Sequence, residues 1–268
     1  MSQKNQTTFL DHPDINRYLF YPRADLGTQA PPNGEEAMIP VAETVAVNAR
    51  FYLSDADQPH ILFFHGNGEI ASDYDDIGPI YNTYGFNFLV ADYRGYGKSD
   101  GDPSVSALLQ DVHPVFSYVR QWMRRNHRRG PLWIMGRSLG SAAALELASQ
   151  HPNACHGLII ESGFAHTLDL LNHIGINTRP FAHETDTAIA NIDKISLYSG
   201  PTLIIHAEHD HIIPLSHGKD LYDKSPASVK NINVIPGADH NTIFLMAGKD
   251  YFDIIRAFVD QVSATPRT

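Results

Sequence analysis

Cysteine and long apolar runs are nearly absent from this chain of 268 residues. Its single cysteine, Cys155, cannot form a disulfide within the chain, which is typical of proteins in a reducing compartment. No apolar run approaches the roughly 20 residues that a membrane-spanning helix needs. The polar segment 1–8 is followed by no apolar signal-peptide core. We therefore expect a cytoplasmic protein with no integral membrane segment.

Basic residues are also scarce, since 20 Lys and Arg face 30 Asp and Glu and the net charge is −10. Contact with a phosphate backbone requires concentrated Lys and Arg, so we expect no nucleic-acid partner. The one basic cluster, residues 124–129, ends a predicted helix, where cations complement the helix C-terminus. The length and the 43% hydrophobic composition suit one large α/β domain.

Short apolar runs alternate with helical patterns, which predicts a parallel β-sheet with helices on both faces. Residues 1–40 show little periodicity and are interpreted as an N-terminal arm, and residues 41–268 as the α/β domain. Segment 163–200 is a mixed insertion with no clear strand. The long helix predicted over 104–127 contains Pro114, which predicts a kink or a break. One or two antiparallel strands are predicted over 41–53, and further strands near 61–64, 86–91, 132–135, 156–160, 202–206 and 231–235.

Residues 136–140 read Gly-Arg-Ser-Leu-Gly and fit the pattern G-x-S-x-G. They lie between a predicted buried strand and a helix of small residues, and in that context the motif presents a serine at the apex of a sharp turn. A Cβ two residues to either side of the serine would collide with the crossing strand and helix. Ser138 is therefore the candidate nucleophile, at a helix N-terminus that favours developing negative charge.

A serine nucleophile requires an imidazole that takes its proton and a carboxylate that orients the imidazole. In this architecture the order along the chain is Ser, then Asp or Glu, then His, each after a strand. His240 follows the strand at 231–235 and is the candidate base. Asp210 follows the strand at 202–206 and is the preferred acid, with Glu161 at the end of the preceding strand as the alternative.

Acyl transfer also requires N–H donors for the oxyanion of the tetrahedral intermediate. The backbone N–H of Leu139, directly after the nucleophile, is one candidate donor. The second is expected in the loop after the strand at 61–64, where Asn67 N–H lies between two glycines that allow close backbone approach. Glu69 either shapes the substrate pocket or is a solvent-facing loop carboxylate.

The insertion supplies candidate pocket residues of mixed polarity, which predict no acyl length. They include Phe164, His166 and Phe181. A metal site is considered because His206 lies close to the run 209–211, His-Asp-His. Consecutive side chains diverge, however, and no second ligand cluster with a fixed spacing is present, so we expect no metal and no other cofactor.

Several of these motifs together resemble the α/β-hydrolase superfamily, most of all its short-lid serine hydrolases. The motifs are His-Gly-Asn-Gly at 65–68, Asp-Tyr-Arg-Gly-Tyr-Gly-Lys-Ser at 92–99, the 136–140 turn, the Asp210 loop and Gly-Ala-Asp-His-Asn at 237–241. The resemblance covers about residues 43 to 262, with the motifs in family order. It implies an α/β fold with an eight-stranded, mostly parallel sheet, one antiparallel strand, and a small cap after the sixth strand, at 163–200. It also implies that Asp92 and Arg94 are structural.

These residues and the resemblance predict a serine hydrolase that cleaves carboxylic ester or thioester bonds of small acyl substrates through an acyl-enzyme. An acyltransferase would use the same residues with an alcohol in place of water. A peptidase usually needs a larger cap. A non-catalytic binding protein would be expected to lack Ser138, Asp210 or His240, and all three are present. A dehalogenase would need a carboxylate in place of Ser138.

Overall fold

The structure, a computed structural model, describes residues 8–177 and 188–264. One eight-stranded sheet has the order β1-β2-β4-β3-β5-β6-β7-β8, and β2 is antiparallel to both of its neighbours whereas the pairs from β4 to β8 are parallel. The predicted mostly parallel sheet with one antiparallel strand is confirmed. The strands are β1 (Gly34–Ala42), β2 (Val45–Tyr52), β3 (His60–Phe64), β4 (Asn87–Ala91), β5 (Leu132–Arg137), β6 (Gly157–Glu161), β7 (Thr202–Ala207) and β8 (Lys230–Ile235).

Helices cover both faces of the sheet. They are α1 (Pro13–Leu19), α2 (Gly78–Thr83), α3 (Val105–Arg125), α4 (Gly140–Gln150), α5 (Thr167–His173), α6 (Asn191–Ser196), α7 (Leu215–Lys224), α8 (Ile243–Ala247) and α9 (Lys249–Ala264). Within the described ranges, none of these helices combines the length and the apolar character that crossing a membrane requires.

The central strands are buried on both faces, and alternate side chains enter two separate hydrophobic clusters. In β3, Leu62 and Phe64 pack in the cluster that contains α3 and α4, whereas Ile61 and Phe63 pack in the cluster that contains α2 and α9. Parallel strands covered on both faces read as continuous apolar runs, which is why this strand was recognisable in the sequence.

The first strand begins earlier than the sequence predicts. Gly34 starts β1, so the last seven residues of the interval 1–40 belong to the sheet and not to the arm. The strand was hidden because β1 lies at the edge of the sheet, where Ile39 alone of its nine residues is buried. An edge strand lacks the apolar run of a central one.

The predicted long helix is α3, which begins after Ser104 and continues through Pro114 without a break. The Ser104 hydroxyl accepts the N–H of Ala107 at 3.0 Å, which caps the helix N-terminus. The predicted small cap after the sixth strand is also present, since α5 and α6 lie between β6 and β7. Phe181 lies outside the described residues.

The buried His60 side chain at the start of β3 is expected to make stability depend on pH. Burial, together with the positive charge of Arg128, lowers the pKa of His60 from 6.5 to about 4, although the backbone of Gln58 opposes the shift. At a pH between about 4 and 6.5, His60 therefore binds a proton in the unfolded chain but not in the folded chain. Acidification from pH 7 to pH 4 should therefore cost up to about 3 kcal/mol of unfolding free energy at this one site.

Urea unfolding of the wild type and of His60→Gln at pH 7, 5.5 and 4.5 measures this contribution. The variant should lose less stability on acidification than the wild type does. His209→Gln, at a histidine whose side chain is 69% exposed, is the matched control and should follow the wild type. Equal losses of unfolding free energy in the wild type and His60→Gln would contradict the assignment of this pH dependence to His60.

Candidate active site

Ser138 occupies a strained turn between β5 and α4. Its φ is 53°, a left-handed conformation that is costly for a residue with a side chain. A Cβ at Gly136 would lie 2.2 Å from the carbonyl oxygen of Gly140, and a Cβ at Gly140 would lie 2.0 Å from the carbonyl oxygen of Phe64. Both glycines are therefore required for the helix to cross this close to the strands, as the motif predicts.

Three side chains from three loops at the carboxyl end of the sheet form a hydrogen-bonded chain. Ser138 Oγ lies 3.0 Å from His240 Nε2, and His240 Nδ1 lies 2.8 Å from Asp210 Oδ2. All three residues are buried. The structure thus brings together the candidate nucleophile, base and acid, and it places Asp210, not Glu161, against the imidazole.

The carboxylate of Asp210 is held as an anion. Its Oδ1 accepts the backbone N–H groups of Ile212 and Ile213 at 3.1 and 2.8 Å. Burial by itself would raise the pKa of Asp210, but the hydrogen bond and charge of His240 and the Ile213 N–H together bring the pKa below its ordinary value. A carboxylate fixed in this way can stabilise a positive charge on the imidazole.

Arg137, inside the nucleophile motif, connects the loops around the site. Its guanidinium lies 3.2 Å from Glu69 Oε1 and 3.1 Å from Glu161 Oε1, and it donates to the carbonyl oxygen of His240 at 2.8 Å. Glu161 therefore bonds to the 136–140 turn instead of acting as the acid. This role of Arg137 could not be predicted from the motif, because the second position of G-x-S-x-G accepts any residue.

The charges of this cluster are interdependent. Burial would lower the pKa of Arg137, but Glu69 and Glu161 raise it above its ordinary value. Burial raises the pKa of Glu161 despite the opposing charge of Arg137. For Glu69, the charge of Arg137 and the hydrogen bond from Tyr74 outweigh burial, and its pKa is lowered. The Glu69–Arg137 pair is thus an ion pair that fixes the 65–69 loop.

Asn67 and Leu139, the two candidate oxyanion donors, line the same pocket as Ser138. Leu139 directly precedes the first turn of α4. The loop that carries Asn67 begins at His65, whose Nε2 lies 3.1 Å from Asp92 Oδ1. Arg94 makes a bidentate pair with Asp111 at 2.6 and 2.7 Å. The contacts of His65, Asp92 and Arg94 are those of structural residues.

The pocket beside Ser138 is apolar and holds about 560 Å³, including its open mouth. Its wall is formed mostly by leucine and isoleucine side chains from the cap and from the Asp210 loop, among them Leu170, Leu171, Ile174, Ile189, Ile212 and Ile213. Phe164 also lines it, as the sequence suggests.

Two other proposed pocket residues lie elsewhere. His166 is directed toward Asp220, with Nε2 3.2 Å from Oδ2, and is not among the residues that line the pocket of Ser138. Glu69 faces a separate cavity together with Arg137 and Glu161. The sequence could place both residues near the site but not assign the direction of their side chains.

Two of the residues that suggested a metal site, His206 and Asp210, have other partners. His206 Nε2 lies 2.9 Å from the carbonyl oxygen of Ile213, and Asp210 is engaged by His240. Across 8–177 and 188–264, no three His, Cys, Asp or Glu side chains are grouped as ligands of one ion.

The fold is shared with known esterases. An esterase of Pyrococcus furiosus, Pf2001, superposes with a TM-score of 0.71 over 90% of this chain and 98% of its own, at 14% identity. Est1E of Butyrivibrio proteoclasticus, solved with ferulic acid bound, gives a TM-score of 0.70 over 85% of this chain and 100% of its own, at 18% identity. At such identities the likeness establishes the fold alone.

Curated relatives share more sequence. An α/β-hydrolase domain-containing protein 17C of Xenopus tropicalis is 32% identical over 74% of this chain and 61% of its own length. An uncharacterized membrane protein of Saccharomyces cerevisiae is 32% identical over 67% of this chain and 62% of its own. The chain thus spans about three fifths of the length of these relatives.

The sequence model of the family described as serine aminopeptidase, S33, matches residues 55–169 and 168–244. The matched ranges contain the 65–69 loop, the 136–140 turn, Asp210 and His240, and they cover well over half of the chain. The chain therefore belongs to the serine aminopeptidase S33 family of α/β hydrolases.

Proposed function

We propose that this hydrolase cleaves carboxylic ester or thioester bonds through an acyl-enzyme formed on Ser138. The observation that carries the proposal is the chain of hydrogen bonds from Ser138 Oγ to His240 and on to Asp210, at 3.0 and 2.8 Å, beside an apolar pocket. A serine hydroxyl is a weak nucleophile, and an imidazole within hydrogen-bond reach is what activates it.

The first half-reaction begins when Ser138 Oγ attacks the substrate carbonyl carbon and His240 Nε2 takes the hydroxyl proton. The imidazolium that forms is stabilised by the anionic Asp210. The carbonyl oxygen becomes an oxyanion, for which the backbone N–H groups of Leu139 and Asn67 are the proposed donors. Donors fixed before the reaction lower its barrier because they need no reorganisation as charge develops.

The leaving group then departs with the proton from His240, and the acyl group remains on Ser138. Water enters, His240 removes its proton, and a second tetrahedral intermediate collapses to the free acid and regenerated serine. An ester or thioester suits this site because its alcohol or thiol leaves more readily than an amine.

The pocket favours an apolar acyl group over the charged terminus of a peptide. Among the described residues that line it, none carries an acidic side chain that would pair with an N-terminal ammonium group. The esterase function named for the structurally similar proteins is consistent with this choice. The family description names an aminopeptidase, so cleavage of an amide bond is the alternative activity that the next experiment tests.

Replacement of the nucleophile tests the proposal. The wild type should react with a fluorophosphonate probe and hydrolyse p-nitrophenyl esters, and Ser138→Ala should lose labelling and about 10³-fold or more of kcat/KM, since the nucleophile is gone. Ser149→Ala, further along α4, is the control and should still label, because the Ser149 hydroxyl donates only to the carbonyl oxygen of Glu146 in the same helix. Turnover of amino-acid p-nitroanilides in preference to esters would reject the ester assignment.

Removal of the charge on Asp210 tests whether this carboxylate stabilises the positive charge that forms on His240. Asp210→Asn keeps the shape of the side chain but cannot stabilise the imidazolium, so kcat should fall by about 10⁴-fold. Asp239→Asn is the matched control, because Asp239 adjoins His240 in sequence but accepts from Asn241 and Thr242. The control should remain within about twofold of the wild type, as expected for a surface change. Equal losses in both variants would contradict the assignment.

A further inference from the structure

We infer that residues 8–33, the described part of the N-terminal arm that precedes β1, contribute directly to the active site. It positions the oxyanion loop, residues 65–69, through the side chain of Asn67, and it forms one wall of the acyl pocket. The inference rests on the proposed function, since it assigns the arm a role in that same site. Asn67 then has two separate functions, with its backbone N–H facing the substrate and its side chain anchoring the loop.

The arm is folded against the domain. Phe9, Leu10, Ile15 and Phe20 are buried in the hydrophobic cluster that contains α3 and α4. Polar contacts support this packing, since Asp11 accepts the N–H of Ser106 at 3.0 Å and Asn16 donates to the carbonyl oxygen of Pro103 at 2.8 Å. The arm therefore has a defined position relative to the start of α3.

Further along, the arm pairs with the loop at 92–101. The N–H of Gly97 donates to the carbonyl oxygen of Arg23 at 2.8 Å, and the N–H of Asp25 donates back to the carbonyl oxygen of Gly97 at 3.0 Å. This short parallel bridge adjoins Tyr96, whose side chain is fully buried. The arm and Tyr96 consequently form one rigid support beside the oxyanion loop.

Two donors from this support meet at Asn67. Its Oδ1 accepts the backbone N–H of Tyr21 at 2.7 Å and the hydroxyl of Tyr96 at 2.7 Å, and the same Tyr21 N–H lies 2.9 Å from the Tyr96 oxygen. Arg23 adds a hydrogen bond from Nε to the carbonyl oxygen of Gly68 at 2.6 Å and an ion pair with Asp73. The loop is thus held on the arm side at residues 67 and 68.

The opposite side of the oxyanion loop is held by the Glu69–Arg137 ion pair and by the Gly66 N–H, which donates to Glu69 Oε2 at 2.8 Å. The loop contains Gly66 and Gly68, and Gly68 has a φ of 78°, so its own backbone is permissive. A loop whose backbone can adopt several conformations needs contacts at both of its ends to hold an N–H group in one direction. The arm supplies the contacts at residues 67 and 68.

The arm also contributes to the substrate pocket. Tyr18 and Leu19, at the end of α1, line the pocket together with the cap residues, and Tyr18 is 57% exposed. The size of residue 18 should therefore set how long an acyl chain the pocket accepts.

Steady-state kinetics with p-nitrophenyl acetate test the positioning role. Asn67→Ala removes the acceptor and Tyr96→Phe removes one donor, and both should lower kcat by about 5- to 20-fold, the range for one or two hydrogen bonds, with KM within about twofold. Asn67→Asp keeps an acceptor oxygen and should recover most of kcat. The double variant should be no slower than Asn67→Ala, because Tyr96 acts through Asn67. Tyr222→Phe, on α7, is the control.

Hydrogen exchange of the oxyanion loop gives a readout that does not depend on turnover. The amides of residues 66–69 should exchange faster in Asn67→Ala and Tyr96→Phe than in the wild type and Tyr222→Phe. Unchanged exchange and unchanged kcat in both variants would overturn the positioning role. If the wild type hydrolyses no ester, the proposed function fails, and the exchange rates still decide whether the contacts of the Asn67 side chain hold the loop. Arg23→Ala, which removes the hydrogen bond from the arm to the carbonyl oxygen of Gly68, should also speed the exchange, and unchanged exchange in this variant would count against the arm.

The pocket wall is tested with p-nitrophenyl esters of increasing acyl length. Tyr18→Ala should shift the preferred length upward and Tyr18→Trp downward relative to the wild type. Leu26→Ala changes a residue of the same arm that is 97% exposed and should leave the profile unchanged. A profile that is identical in all four proteins would reject the arm as a wall of the pocket.

Discussion

The left-handed turn at Ser138 depends on the close crossing of α4 over the sheet, and the proposed chemistry depends on that turn. At Gly136 and Gly140 a single added carbon would meet a backbone oxygen at 2.2 and 2.0 Å, far inside the ordinary contact distance. The crossing directs the hydroxyl away from the sheet and toward His240, and it places the N–H of Leu139 at the beginning of a helix. The packing of Gly136 and Gly140 thus positions the hydroxyl of Ser138 beside its proposed proton acceptor, and it positions the N–H group that is proposed to bind the oxyanion.

Around this turn, the site is assembled from loops at one edge of the sheet and held by polar contacts between them. Arg137 bonds to Glu69, to Glu161 and to the backbone of His240, so one guanidinium joins the oxyanion loop, the end of β6 and the histidine loop. Few side chains other than arginine have donors in enough directions to do this. Among the described residues that line the apolar pocket, none is Arg137, Glu69 or Glu161.

The sequence predicted the fold and the Ser138–His240–Asp210 arrangement because each depends on local signals: buried strands read as apolar runs, and the motif residues follow them in a recognisable order. It started the first strand at residue 41, whereas β1 begins at Gly34, because the edge position leaves little apolar pattern. It also expected a kink or a break at Pro114, where α3 continues. The directions of His166 and Glu69, and the contacts of Tyr21 and Tyr96 with Asn67, are set by tertiary packing between segments far apart in the chain. Single-sequence patterns do not contain that information.

We propose that substrate acyl groups pass through a covalent bond to Ser138. The most direct measurement mixes the protein with excess p-nitrophenyl acetate, quenches with acid within milliseconds to seconds, and maps the added mass by peptide mass spectrometry. We expect an acetyl group on Ser138 and a burst of p-nitrophenol equal to the amount of enzyme. Ester turnover with no acetyl group on Ser138, or with the group on another side chain, would contradict this proposal.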